Sequence, residues 1–133
     1  MPILWRDAMS VGQPTIDDDH QALFAIINEF ETSPDFTHAE QAARKLYKYT
    51  QEHFRREEHM QQLMRYPYAE AHRKEHEDIL RSLTGVIKGH FLKKDASTEE
   101  TAAIARLTEL MRTWIVDHVM TTDRKMKPFL GRL

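Results

Sequence analysis

Apolar residues recur every three or four positions along most of the chain, which is the spacing of amphipathic α-helices. Four such stretches are separated by short clusters of Pro, Gly, Ser, Thr or Asp, and they predict helices at about residues 16–32, 38–65, 68–90 and 98–120. Residues 1–15 have no clear period and are expected to form an extended arm that Trp5 and Val11 attach to the body. The pattern predicts an all-α, up-down-up-down four-helix bundle with an N-terminal extended arm, in one domain of residues 1–133.

Local signals place the helix ends. Thr15, Thr37 and Ser97 each precede an acidic residue by three positions, which is the pattern of a capping box at a helix start. Tyr66–Pro67 predicts the junction between the second and third helices, because the residue before a proline disfavours helical backbone.

Histidines and carboxylates interrupt the apolar stripes of all four helices. Two pairs have a spacing of four residues, which puts both side chains on one helix face, one turn apart. Seven residues are expected to project into the bundle: His20, His53, Glu57, His72, His76, His118 and Asp123. Burying such a set without a metal is costly, so the pattern predicts a metal site. Imidazole and carboxylate suit iron or zinc, and copper and nickel stay open.

The spacing of five residues between His118 and Asp123 is unusual for such a site. A regular helix would turn Asp123 about 140° away from His118. If both residues serve one site, the helix must end or distort between them, and Thr121–Thr122 is the expected place.

Composition narrows the function further. The chain has no cysteine, which excludes disulfides, thiolate zinc sites and iron–sulfur clusters. A net charge of −2 gives no strong attraction to nucleic acid or to an anionic membrane. No stretch has the pattern of a signal peptide or is apolar enough to span a bilayer, so a cytoplasmic protein is expected.

The donor set also bounds the coordination chemistry. Two octahedral metals held by five histidines, two bridging carboxylates and a bridging hydroxide or oxide would keep one position open for a small ligand. The carboxylate-rich di-iron sites of other helix bundles use a different pattern.

The seven-residue pattern resembles the hemerythrin family, in particular its single-domain bacterial members, the bacteriohemerythrins. The residues around it match as well over nearly the whole chain: Val11–Gly12, Ile16–His20, His53–Phe54 with Glu57–Glu58, Tyr66–Pro67, and Trp114 before His118. The resemblance implies a non-haem centre of two iron ions (Fe²⁺/Fe³⁺) with a bridging oxo or hydroxo group. The implied ligands are His72, His76 and His118 on one iron, His20 and His53 on the other, and Glu57 and Asp123 bridging the two.

The resemblance implies reversible O2 binding, for oxygen storage, delivery or sensing. O2 would be held as a hydroperoxide on the iron with two histidine ligands, inside an apolar pocket. The expected pocket walls are Phe54, Trp114, Ile115 and Val119. For each of them, ordinary core packing is an equal alternative.

Two other functions stay open. One is a di-iron enzyme that handles peroxide, nitric oxide or ferrous iron; repair-type relatives would carry extra carboxylates near the site. No extra inward carboxylate is apparent from the pattern, with Glu58 interpreted as a surface residue, and this favours the O2 binder. The other is a structural zinc or iron-responsive module. Asp17 is a candidate to orient a ligand histidine, with the role of an acidic residue at a helix start as an equal alternative. A protein partner for delivery or signalling stays open.

Overall fold

The chain folds into an all-α bundle. The structure, a computed structural model, describes residues 3–89 and 100–133. Within these residues there is no strand, and the four α-helices are α1 (Pro14–Glu31), α2 (Phe36–Leu63), α3 (Ala69–Ile87) and α4 (Glu100–Thr121). Successive helices are neighbours and α1 also packs against α4, so the helices close into a ring. The predicted up-down-up-down four-helix bundle is confirmed.

The residues that cap the N-terminal ends of α1 and α2 differ from the predicted ones. The side-chain oxygen of Gln13 caps α1 by accepting from the Ile16 N–H at 2.9 Å. The carboxylate of Asp35 caps α2 by accepting from the His38 N–H at 2.9 Å. The caps predicted at Thr15 and Thr37 are therefore wrong.

The earlier starts have simple causes. Pro14 fits the first turn of α1 because it has no N–H to satisfy there, and Asp35 is a stronger cap than threonine. The cap predicted at Ser97 and the predicted end of the third helix at residue 90 lie outside the described residues. The junction predicted at Tyr66–Pro67 is confirmed, since it falls between α2 and α3.

Two apolar clusters surround the interior of the bundle. The larger contains buried residues of all four helices, among them Leu23, Ile27, Phe30, Leu46, Phe54, Leu83, Leu107 and Met111. The smaller joins the start of α1, the α2–α3 junction and the C-terminal 3-10 segment Asp123–Arg132: Val11, Ile16, Met64, Tyr66, Met126 and Leu130. Burial of each large side chain stabilises the fold by roughly 1.5–3 kcal/mol. Both clusters border the polar interior, because the Phe54 ring stacks on His76 and Tyr66 lies edge-on to His72.

The N-terminal arm lies along α1 and α4. The Trp5 ring centroid is 5.9 Å from that of Phe24, and Val11 is fully buried, which confirms the predicted attachment. The backbone of Ile3 also exchanges two hydrogen bonds of 2.7 and 3.0 Å with the Asn28 side-chain amide. No helix in the described part of the chain is long and apolar enough to cross a bilayer.

Candidate metal centre

All seven predicted polar residues lie together in the middle of the bundle. Each is at most 3% exposed: His20, His53, Glu57, His72, His76, His118 and Asp123. Asp123 reaches this position because α4 ends at Thr121 and a 3-10 segment begins at Asp123, as the five-residue spacing predicted. Every helix therefore contributes at least one side chain, and the change of helix type supplies the last.

The seven side chains form two groups that share both carboxylates. One group contains Glu57, His72, His76, His118 and Asp123, and the other contains His20, His53, Glu57 and Asp123. Within each group, one donor atom per residue lies within 4.8 Å of every other. If each group held a metal ion, Glu57 and Asp123 would be able to serve both ions.

The spacing of the donor atoms fits octahedral metal ions. Two ligand atoms at 2.0–2.2 Å from one metal and at right angles to each other are about 3 Å apart. The Nε2 atoms of His20, His72 and His118 each lie 2.9 Å from an oxygen of Asp123. His53 Nε2 lies 3.1 Å from a Glu57 oxygen. These separations match the edge of an octahedron.

The hydrogen bonding of the cluster leaves the donor atoms available. Four buried carboxylate oxygens, those of Glu57 and Asp123, have no hydrogen-bond partner, although histidine nitrogens are close. The same holds for Nε2 of His20, His53 and His72. Buried polar atoms are normally satisfied, so a cluster whose donor atoms converge at these distances without aligned hydrogen bonds indicates a cation site. The residues therefore fit a metal pair.

Three further carboxylates lie behind the cluster, each on the Nδ1 side of a histidine. Asp19 accepts a hydrogen bond of 2.8 Å from His53 Nδ1. Glu75 Oε1 lies 2.8 Å from His118 Nδ1 and also accepts from the Thr122 hydroxyl at 2.6 Å. A proton fixed on Nδ1 leaves the Nε2 lone pair free for a metal and sets the ring orientation.

The third carboxylate is Glu58, whose Oε2 lies 3.2 Å from His76 Nδ1. The expectation that Glu58 has no part in the site is therefore wrong, although its side chain is 31% exposed, as expected of a residue at the surface. The prediction for Asp17 is also wrong: its carboxylate accepts from the Val11 N–H at 2.9 Å and from the Ser10 hydroxyl at 2.5 Å. Asp17 thus holds the N-terminal arm, and no contact joins it to a candidate ligand.

The sequence analysis assigned no role to Asp19 or Glu75. The burial of Asp19 also shows that the expectation of no extra inward carboxylate is wrong. Asp19 is 6% exposed and also accepts hydrogen bonds of 2.9 Å from the Tyr49 hydroxyl and from two Arg56 nitrogens. Burial opposes its charge, but the His53 and Arg56 hydrogen bonds hold the pKa of Asp19 far below its usual range.

The negative charges of Glu57 and Asp123 raise the pKa values of two histidines in the cluster. Burial would lower the pKa of His53, but the charge of Glu57 and the Asp19 hydrogen bond raise that pKa to about 9. Burial would also lower the pKa of His118, but Asp123 outweighs it, and the pKa of His118 rises to about 10. Without a metal, the cluster therefore holds protons that a metal ion has to displace.

A small cavity lies against the cluster. It measures about 10 Å³, close to the space one water molecule needs. Its walls are Leu23, Thr50, His53, Phe54, Ile79, Ile115, His118, Val119 and Asp123. Three of the predicted pocket residues are among them. Trp114 is half-buried at the edge of the core and is not a wall of this cavity.

The fold and the site together define a four-helix bundle protein with a buried, histidine-rich cluster that could hold metal. A family model described as the Hemerythrin HHE cation binding domain matches residues 11–130. The chain belongs to the hemerythrin family, as the sequence pattern predicted.

Individual relatives agree with this assignment. Myohemerythrin of Theromyzon tessulatum is 29% identical over 126 residues, which cover 95% of this chain and 92% of that protein. Bacteriohemerythrin of Ralstonia nicotianae is 26% identical over 135 residues, which cover 99% of this chain and 92% of that protein. A crystal structure of wild-type hemerythrin aligns with a TM-score of 0.84 at 22% identity, over 98% of this chain and 99% of that one. This last similarity shows that the fold is shared.

Proposed function

We propose that this protein binds O2 reversibly at a centre of two iron ions with a bridging oxo or hydroxo group. His72, His76 and His118 would hold one iron, His20 and His53 the other, and Glu57 and Asp123 would bridge them. The division of the seven side chains into two groups with two shared carboxylates supports this assignment. When bound, the iron pair supplies the two electrons that O2 binding requires.

The observation that carries the proposal is the small cavity beside the cluster. Apart from Thr50 and the candidate ligands, its walls are apolar, among them Leu23, Phe54 and Ile115. Such walls exclude water and provide no acid or base that would turn bound O2 into a released product. Asp19, Glu58 and Glu75 do not change this conclusion, because each lies behind a histidine on its Nδ1 side. A site of this kind favours binding over turnover.

The experiment is an optical O2 cycle on the iron-loaded protein. The protein is reduced without air, its iron is counted per chain, and visible spectra are recorded in air and after O2 is removed. We expect two irons per chain and an absorption band that appears with O2 and disappears when O2 is removed. A band that decays to the oxidised form would contradict reversible binding, as would a preference for zinc over iron.

One feature favours a di-iron enzyme as the second candidate. A surface cleft of about 410 Å³ lies outside His72, and its walls include the polar side chains of Tyr66, Glu75, Thr122 and Lys125. Such a cleft would give peroxide or nitric oxide a path toward His72, and its Glu75 carboxylate would attract ferrous iron. Consumption of added peroxide by the reduced iron-loaded protein, over many cycles, would favour this function.

The cellular role belongs to the same proposal. Storage, delivery and sensing all follow from reversible O2 binding, and the cytoplasm is the compartment we expect. A protein partner for delivery or signalling stays a prediction.

A further inference from the structure

Thr50 is the one cavity residue whose polar group no part of the site uses. It lies on α2, one turn before His53 and Phe54, and is completely buried. Its hydroxyl oxygen has no hydrogen-bond partner. A buried hydroxyl without a partner costs free energy, so a threonine at this position needs a physical reason.

Other threonines in the described helices show what a helical hydroxyl normally does here, whether buried or exposed. Four of them donate to the carbonyl four residues earlier, at 2.7–2.9 Å: Thr84, Thr108, Thr113 and Thr121. This bond is available to any helical threonine and satisfies the hydroxyl locally. Thr50 does not make it, so its hydroxyl is free to serve another acceptor.

The cavity is where that acceptor can sit. Thr50 forms part of the wall together with His53 and His118, which belong to the two ligand groups. Rotation about the Thr50 Cα–Cβ bond places either its methyl group or its hydroxyl at this wall. The other walls that are not candidate ligands, such as Leu23 and Val119, have no side-chain donor.

We propose that Thr50 is the hydrogen-bonding residue of the cavity, with its hydroxyl donating to a small ligand atom that carries negative charge. Azide and reduced dioxygen are ligands of this kind. The inference rests on the proposed function for dioxygen, whereas azide tests the same contact on the oxidised centre. A ligand bound in this way satisfies the orphaned hydroxyl, so Thr50 would slow ligand release.

The test compares Thr50→Val, which removes the hydroxyl at nearly constant shape, with Thr50→Ser, which keeps it. Thr108→Val is the matched control, because it makes the same change at a buried helical threonine outside the cavity, whose hydroxyl donates to the Ile104 carbonyl. Three quantities are measured: the O2 dissociation rate of the reduced iron-loaded protein, the azide dissociation constant of the oxidised protein, and urea unfolding of the iron-free protein.

A hydrogen bond to a charged ligand predicts that Thr50→Val raises the O2 dissociation rate and the azide dissociation constant about tenfold or more. Thr50→Ser and Thr108→Val should stay within about threefold of the wild type in both quantities. Iron-free Thr50→Val should unfold at the same or a higher urea concentration, because an unsatisfied hydroxyl has been removed.

Several results would overturn the inference. Thr50→Val could bind O2 and azide like the wild type, or lose no more affinity than Thr108→Val. Destabilisation of the iron-free Thr50→Val protein would mean that the hydroxyl already has a protein partner. A wild type that takes up no O2 but binds azide through Thr50 refutes the proposed function and supports this contact. A wild type that binds neither ligand refutes both.

Discussion

Asp19 offers the sharpest test of how the protein positions a metal ligand. Its carboxylate accepts hydrogen bonds from His53, Tyr49 and Arg56, all between 2.8 and 2.9 Å. Asp19→Asn keeps the shape but removes the negative charge and one acceptor oxygen. The His53 ring would lose the partner that fixes its Nδ1 proton, so its Nε2 atom would no longer be held as a metal donor.

The size of the effect follows from these contacts. Loss of an outer hydrogen bond to a ligand histidine typically weakens metal binding about 10- to 100-fold. Hydrogen bonds to a charged group contribute about 1.5–3 kcal/mol each, but Arg56 is 39% exposed and its share is screened by solvent. We therefore expect the iron-free Asp19→Asn protein to be destabilised by about 2 kcal/mol in total.

The assay is competition for iron with a chelator, followed by counting iron per chain. Asp19→Asn should lose the iron of the His20 and His53 group before the other. Two neighbours provide matched controls: Asp18→Asn changes an exposed residue, and Asp17→Asn loosens the N-terminal arm. Iron affinity within twofold of these controls would refute the positioning role of Asp19.

Two predictions concern the iron-free protein. Its histidine pKa values, about 9 for His53 and about 10 for His118, exceed the unfolded value of about 6.5. The two histidines therefore contribute their full stabilisation below about pH 6.5, and this contribution is lost as the pH rises through 9 to 10. Urea unfolding at a series of pH values across this range measures the loss. A free energy of unfolding that does not change with pH there would contradict the prediction. Leu83→Ala, in the core, should lower the free energy of unfolding by about 2–5 kcal/mol in urea, while the iron count of the loaded protein stays the same. The same change at exposed Leu63 should lower it by under about 0.5 kcal/mol. Equal losses would contradict the packing argument.

The predictable part of the fold is the part that helical periodicity controls. The stripes around Leu23 and Leu46 are buried as expected, because the hydrophobic effect acts on a whole face and tolerates local error. The helix caps were less predictable. At each helix start, two residues that are two positions apart can act as the N-cap: Gln13 or Thr15 for α1, and Asp35 or Thr37 for α2. Small differences in backbone geometry decide between them.

The seven central residues were predictable because a metal site offsets the large cost of burying so many polar groups in one bundle. Their outer partners were not, although a regular signal is present. Asp19, Glu58 and Glu75 each directly adjoin a candidate ligand in the sequence, and each contacts a histidine on the next helix along the chain. A residue adjacent to an inward one is turned by about 100°. On the side that faces the next helix, this turn brings its carboxylate within reach of a histidine there.

Thr50 shows a different limit of sequence analysis. A helical threonine usually satisfies its own hydroxyl, so nothing in the sequence distinguishes Thr50 from Thr108, which does so. Only the position of its side chain against the cavity makes the missing bond visible.

The most direct test of the proposed centre is iron-edge anomalous diffraction from crystals of the iron-loaded protein. We predict two iron peaks per chain, one among His72, His76 and His118 and one beside His20 and His53, both in contact with Glu57 and Asp123. A single peak, or two peaks that do not share these carboxylates, would contradict the proposed di-iron centre.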